Sequence, residues 1–145
     1  MLLPKKTKYR KVHRGRMKGW SKGARTIAYG DYGLVAMVPG WLTSRQIEAV
    51  RVAISRKIKK TGDYFFRVFP DKPASKKPAE VRMGGGKGAP EFWVSVVKRG
   101  RIIVEINGVD REEAKKILIG AAHKLPIRVH FVEKGHEDRV QYNNA

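Results

Sequence analysis

Residues 43–58 read TSRQIEAVRVAISRKI, and this stretch decides the fold because it carries the clearest helix signals in the chain. Thr43 and Gln46 have capping-box spacing, in which the Thr hydroxyl accepts an amide hydrogen bond and the Gln side chain reaches back to the cap amide. The apolar residues that follow recur at spacings of three or four: Ile47, Val50, Ile54 and Ile58. This period predicts a helix with one apolar stripe, and we expect it to stop at Gly62.

The polar side of this predicted helix is cationic. Glu48 is its only acid, and it is opposed by six bases: Arg45, Arg51, Arg56, Lys57, Lys59 and Lys60. We expect the last three to fall in the final turn, where positive charge suits the helix dipole. A solvated face with this favourable charge is one explanation. The excess of six bases over one acid favours contact with phosphates.

The flanking segments read as strands. Residues 26–41 form short extended pieces that we expect to break at Gly30, Gly33 and Pro39-Gly40. Residues 64–69, YFFRVF, are rich in aromatic side chains and predict another strand.

The longest stretch without periodicity is residues 70–90, where four prolines and four glycines discourage regular pairing. Loops of this length inside a compact domain are usually functional or disordered. Beyond it, residues 92–97 and 101–106 predict a hairpin that turns at residues 98–100.

A second helix is predicted after Asn107-Gly108. Asp110 and Glu113 have capping-box spacing, Leu125-Pro126 closes the helix, and residues 127–132 alternate as a last strand. Its apolar face comprises Ala114, Ile117, Leu118, Ala121 and Ala122. The order of elements predicts an α+β fold in which two helices cover a mostly antiparallel or mixed sheet.

The first 25 residues carry ten Lys or Arg and no Asp or Glu, within a chain of net charge +19. Such a segment repels itself and should become ordered only against a surface of opposite charge. Tyr9, His13 and Trp20 lie among the cations, and their rings can stack on exposed bases. A solubilising tail or a patch for anionic lipid is the alternative. The absence of compensating acids favours nucleic acid.

These features divide the chain into a basic arm, residues 1–25, a globular domain, residues 26–132, and a polar tail, residues 133–145. No run approaches the ~20 apolar residues of a membrane helix, and the N-terminus lacks the apolar stretch of a signal peptide. The chain has no Cys, which excludes disulfides and fits a reducing compartment such as the cytosol.

Catalytic patterns find little support. The four histidines, His13, His123, His130 and His136, do not pair at a metal-binding helical spacing. The glycines of residues 84–88 invite comparison with a nucleotide-binding loop, but Lys87 is not followed by the Ser or Thr that such a loop needs. Glycine amides can still approach phosphates closely, with Arg82 and Lys87 supplying charge. A flexible loop tip is the alternative.

Several of these stretches resemble one family, the bacterial-type large ribosomal subunit protein sixteen, or universal sixteen family. The matching pieces, in order, are residues 4–11 (PKKTKYRK), 13–16 (HRGR), 30–34 (GDYGL), 42–49 (LTSRQIEA), 67–73 (RVFPDKP), 81–84 (VRMG), 87–88 (KG) and 122–127 (AHKLPI). They run in register to about Val132, so the resemblance covers nearly the whole chain.

The resemblance implies a protein that docks on large-subunit rRNA near the aminoacyl-site tRNA, among neighbouring large-subunit ribosomal proteins. It implies no catalysis, no cofactor, no small-molecule substrate, no membrane and a cytoplasmic location. The arm and the charged face of the first helix would engage rRNA through Lys5, Lys6, Lys8, Arg10, Lys11, His13, Arg14, Arg16, Lys18, Lys22, Arg25, Arg45, Arg51, Arg56, Lys59 and Lys60.

A loop would extend toward the peptidyl transferase region and the tRNA. It comprises Arg82, Met83, Gly84, Gly85, Gly86, Lys87 and Gly88. Many relatives read RMGKGKG, so Gly85 removes one cation from this loop.

Two other classes of protein are the alternatives to a ribosomal component: a free RNA chaperone or translational regulator, and an enzyme with a basic pocket for phosphorylated substrates. Retention on salt-washed large subunits discriminates among them.

Overall fold

The computed structural model describes residues 19–58, 60–75 and 90–142. Its elements follow in chain order: β1 (Tyr32–Ala36), β2 (Gly40–Thr43), α1 (Ser44–Lys57), β3 (Asp63–Phe66), β4 (Lys72–Ser75), β5 (Pro90–Val97), β6 (Ile102–Asn107), α2 (Arg111–Ala122) and β7 (Val129–Glu133). A short 3₁₀ turn at Glu137–Arg139 comes last. The predicted α+β class is confirmed, with the strands divided between two antiparallel sheets.

The predicted cap of α1 is confirmed. The Gln46 amide donates to Thr43 Oγ1 at 3.2 Å, and the Thr43 amide donates to Gln46 Oε1 at 2.9 Å. The predicted end at Gly62 is wrong, because Ile58 already has an extended backbone (ψ 139°). Ile58 leaves the helix to pack against the core, and a Cβ on Gly62 would lie 2.6 Å from its side chain. Lys60 therefore lies beyond the helix, not in its last turn.

Helix α2 begins at the predicted cap, where Asp110 Oδ1 accepts a hydrogen bond from the Glu113 amide at 2.8 Å. Both helices pack against the same four-stranded sheet. The shared cluster comprises Leu34, Val50, Ile54, Val104, Ile106, Ala114, Ile117, Leu118 and Ala121. The apolar stripes predicted for the two helices thus meet in one core.

The four-stranded sheet has the order β3-β6-β1-β7. The predicted break at Gly33 is wrong, because this residue lies inside β1 and pairs with Glu105 on β6. A Cβ at Gly33 would lie 2.7 Å from the Val104 carbonyl oxygen. Glycine here permits close approach of two strands.

The second sheet has the order β2-β5-β4, so the predicted hairpin of residues 92–97 and 101–106 is wrong. The turn between β5 and β6 pairs with β1 instead: the Gly100 amide donates to the Ala36 carbonyl, and the Ala36 amide donates to the Arg101 carbonyl, both at 2.8 Å. Gly100 takes a φ of +92°, which glycine adopts without strain. These bonds direct the chain from one sheet to the other.

Strand β4 falls within the segment that the sequence predicts to be irregular. Pro73 pairs with Trp93 on β5, and β4 is an edge strand of its sheet, where the missing amide of a proline is tolerated. Residues 76–89 of that segment lie outside the described part of the chain.

The segment after β7 contacts the domain as far as Tyr142. Glu137 Oε1 accepts a hydrogen bond from the Ile27 amide at 3.0 Å. Val140 and Tyr142 pack against a third cluster, which comprises Ile27, Val35, Met37, Ile102 and Val132. The division into arm, domain and tail at residues 25 and 132 stays a prediction.

Candidate nucleic-acid interface

The described residues include six of the predicted rRNA contacts: Lys22, Arg25, Arg45, Arg51, Arg56 and Lys60. The other ten lie outside the described part of the chain: Lys5, Lys6, Lys8, Arg10, Lys11, His13, Arg14, Arg16, Lys18 and Lys59. The whole predicted loop from Arg82 to Gly88 lies outside it as well.

The outer face of α1 presents unneutralised positive charge. Arg45, Arg56 and Lys57 are exposed, and none forms an ion pair with an acid of the described residues. Arg45 and Arg56 are eleven residues apart, or about three turns, so they project from the same side of the helix roughly 16 Å apart along its axis. This spacing suits contact with more than one phosphate of a polyanion.

Arg51 differs from these three because it is paired with Glu48 on the same helix. Its Nε lies 3.0 Å from both carboxylate oxygens, and its Nη2 lies 2.5 Å from Oε1. The hydrogen bond from Arg51 holds the pKa of Glu48 below its ordinary value, and the bond to Glu48 raises the pKa of Arg51. Glu48 thus offsets the positive charge of Arg51.

The last residues of the predicted arm lie against the domain. The Ser21 amide donates to the Arg99 carbonyl at 2.9 Å, and the Ile102 amide donates to the Ala24 carbonyl at 2.6 Å. Trp20 forms a parallel bridge with Arg99. Residues 20–24 therefore lie beside the turn between β5 and β6.

Three side chains of the protein contact the Trp20 ring. The guanidinium carbons of Arg99 and Arg25 lie 3.9 and 4.9 Å from its centroid, and Tyr142 meets it edge-on at 4.8 Å. Burial raises the pKa of Tyr142, while the two guanidiniums act in the opposite direction. These contacts pack the end of the arm onto the domain, while Trp20 stays 39% exposed, and its stacking on a base remains a prediction.

Arg99 is a cation of this region that the sequence reasoning missed. Its side chain joins Arg25 on Trp20 because the turn at residues 98–100 lies next to the arm. The sequence shows two adjacent cations here, Lys98 and Arg99. The predicted hairpin placed both at the tip of a turn and gave no reason to place Arg99 near Arg25.

A buried carboxylate on β6 organises the neighbouring loop, and the sequence reasoning missed it too. Glu105 is fully buried, and its Oε1 accepts hydrogen bonds from the amides of Ala28, Tyr29 and Gly30 at 3.1, 2.7 and 2.8 Å. Its Oε2 lies 2.5 Å from Arg67 Nη1. Burial alone would raise the pKa of Glu105, but these hydrogen bonds outweigh it and lower the pKa.

Arg101 fixes the other side of the same region. Its Nε and Nη2 donate to the Arg67 carbonyl at 3.1 and 2.5 Å. Burial lowers the pKa of Arg101, and repulsion from Arg67 adds to that effect. The Glu105 carboxylate thus holds the Arg67 guanidinium, and the Arg67 carbonyl holds the Arg101 guanidinium. These contacts give both arginines a structural role.

The described residues contain no group of three or more His, Cys, Asp or Glu side chains that could hold a metal ion. Within the same ranges, no helix has the length and apolar character needed to cross a membrane.

A small α+β domain, a cationic helix face and a basic N-terminal arm are together typical of proteins that bind polyanions. Residues 4–132 match the model of the family Ribosomal protein L16p/L10e, and the chain belongs to this family. It is therefore a structural constituent of the large ribosomal subunit in the cytoplasm, and not an enzyme. The resemblance stated from the sequence is confirmed.

Proposed function

We propose that the chain binds large-subunit rRNA through the arm, residues 1–25, and through the exposed cations of α1. The exposed side chains of Arg45, Arg56 and Lys57, which form no ion pair within the described residues, carry this proposal, since they add a basic surface to an arm that has ten cations and no acid. Each phosphate that such cations neutralise releases counterions, so affinity should depend steeply on salt.

We further propose that residues 82–88 face the aminoacyl-site tRNA near the peptidyl transferase region and help to organise that site. The family resemblance supports this placement. The composition also fits, because glycine amides approach phosphates closely and Arg82 and Lys87 add charge.

Retention of the full chain on large subunits through a moderate-salt wash tests the first proposal. An integral component stays bound, whereas a free RNA chaperone or regulator is washed off. Affinity for purified large-subunit rRNA should fall with salt at a log-log slope of about −6 to −9, which corresponds to roughly eight to ten phosphate contacts. A slope shallower than about −2 would contradict rRNA binding through phosphates.

A matched pair of variants assigns part of that slope to α1. Replacing Arg45 and Arg56 with Gln should make the slope shallower by about 1.4 to 1.8, since two phosphate contacts are lost. The control replaces two exposed cations of α2, Lys115 and Lys116, with Gln and changes the net charge equally. Equal effects of the two pairs would show that charge alone matters and that α1 is no specific contact.

A further inference from the structure

The side chain of Tyr29 is 62% exposed, more than any other large hydrophobic residue in the described ranges. Its backbone, in contrast, is held firmly. The amides of residues 28, 29 and 30 all donate to the buried Glu105 carboxylate, and the Asp31 amide donates to the Ile106 carbonyl at 2.8 Å. An exposed ring on so constrained a backbone loses little freedom when a ligand covers it.

The loop that carries Tyr29 also lies directly on β6. A Cβ at Gly30 would lie 2.7 Å from the Ile106 carbonyl oxygen, so only glycine allows this close approach. Asn107 Nδ2 donates to the Tyr29 carbonyl at 3.4 Å from the end of the same strand. These contacts fix the position of the Tyr29 Cα relative to the sheet.

Two neighbours give the exposed ring a defined setting. The ring of Phe65 lies 5.8 Å from that of Tyr29 at an interplanar angle of 38°, and the Arg67 guanidinium carbon lies 5.1 Å from the Tyr29 centroid. Arg67 is itself held by Glu105. The guanidinium lies over the Tyr29 ring, yet Tyr29 stays 62% exposed, and an exposed aromatic ring backed by a fixed guanidinium is a surface on which proteins stack unpaired bases of RNA.

We propose that Tyr29, with Phe65 and Arg67, forms a stacking platform for an unpaired base of large-subunit rRNA. This inference rests on the proposed rRNA binding and adds a contact that is not electrostatic. A net charge of +19 draws the chain onto a polyanion, and bases offer the flat apolar surface that an exposed ring can cover. Glu105 acts here as a positioning residue.

The test compares Tyr29→Phe, Tyr29→Leu and Tyr29→Ala in the full chain, using purified large-subunit rRNA at several salt concentrations. Stacking on one base predicts that Leu and Ala each weaken binding by about 5- to 150-fold, while Phe, which keeps the aromatic face, binds nearly as the parent does. Because no phosphate contact is lost, the salt slope should not change in any of the three.

Ile119→Ala is the control, since Ile119 is also exposed (43%) but lies on α2. It should bind rRNA as the parent does, and the thermal midpoints of all variants should agree because both side chains are exposed. Unchanged rRNA affinity of Tyr29→Leu and Tyr29→Ala would overturn the stacking platform. A steep salt dependence of the parent's affinity in the same experiment would show that the proposed rRNA binding still holds. If Tyr29→Leu and Tyr29→Ala bind rRNA normally but are incorporated weakly into subunits, the stacking platform is also overturned, and the ring contacts a protein partner instead.

Discussion

Glu105 on β6 and Arg67, in the segment after β3, form an ion pair, with Arg67 Nη1 2.5 Å from Glu105 Oε2 and the carboxylate fully buried. The other carboxylate oxygen accepts three amide hydrogen bonds from residues 28–30. One acid therefore joins the loop before β1 to the segment after β3, through β6 between them.

Glu105→Gln should lower the free energy of unfolding by about 2 to 4 kcal/mol, because it leaves the Arg67 guanidinium without its charge partner and weakens three amide bonds. Chemical denaturation of the purified chain measures this change. Glu48→Gln is the matched control, since Glu48 also pairs with an Arg but lies at the helix surface. Its unfolding midpoint should stay near that of the parent. Equal losses from the two variants would contradict a special role for burial.

The same carboxylate predicts a pH dependence. Its pKa in the folded chain lies below the ordinary value of 4.5, so the folded state binds this proton more weakly than the unfolded state does. The stabilisation is complete above 4.5 and is lost as pH falls through the folded pKa. Thermal melts from pH 6 to pH 3 should therefore show the parent and Glu105→Gln converging at the acid end. A difference in melting temperature between the two proteins that stays constant over this pH range would contradict stabilisation by the ionised Glu105 carboxylate.

Local patterns were enough to predict both helices, because caps and apolar periods involve residues within one or two turns. The cap of α1 and its buried residues Ile47, Val50 and Ile54 match the prediction. The end of α1 was missed because Ile58 gains more by packing into the core than by extending the helix. That gain depends on tertiary contacts that a helical period does not report.

The division into two sheets was not predictable from neighbouring residues. The turn at residues 98–100 has the local pattern of a hairpin, but Ala36, more than sixty residues earlier, takes its hydrogen bonds. Glu105 likewise finds its partners 38 to 77 residues away. A lone acid in an apolar strand signals such a network, yet it does not identify the residues that complete it.

The boundary of the basic arm gives a third prediction. The sequence predicts an arm over residues 1–25, and its residues Trp20 and Ser21 contact the turn at Arg99. Charge repulsion predicts fast amide exchange for residues 1–18 in the free chain and slower exchange on rRNA. The Ser21 and Ile102 amides, which are bonded in the domain, should be protected in both states. Even protection across residues 1–18 in the free chain would contradict the prediction that charge repulsion keeps this part of the arm unfolded.

The last prediction concerns the proposed tRNA-facing loop. Changing both Arg82 and Lys87 to Ala removes two of many cations, so the chain should still be incorporated into large subunits at nearly normal occupancy. Positioning a tRNA acceptor arm depends on charge at one defined place, so aminoacyl-tRNA accommodation or peptide-bond formation should slow. Lys115→Ala with Lys116→Ala, on exposed positions of α2, controls for the loss of two charges. Quantitative mass spectrometry of purified subunits measures occupancy, and rapid-mixing assays with those subunits measure accommodation. If occupancy collapses while the few assembled particles react at the normal rate, the loop is an rRNA anchor and not a tRNA contact.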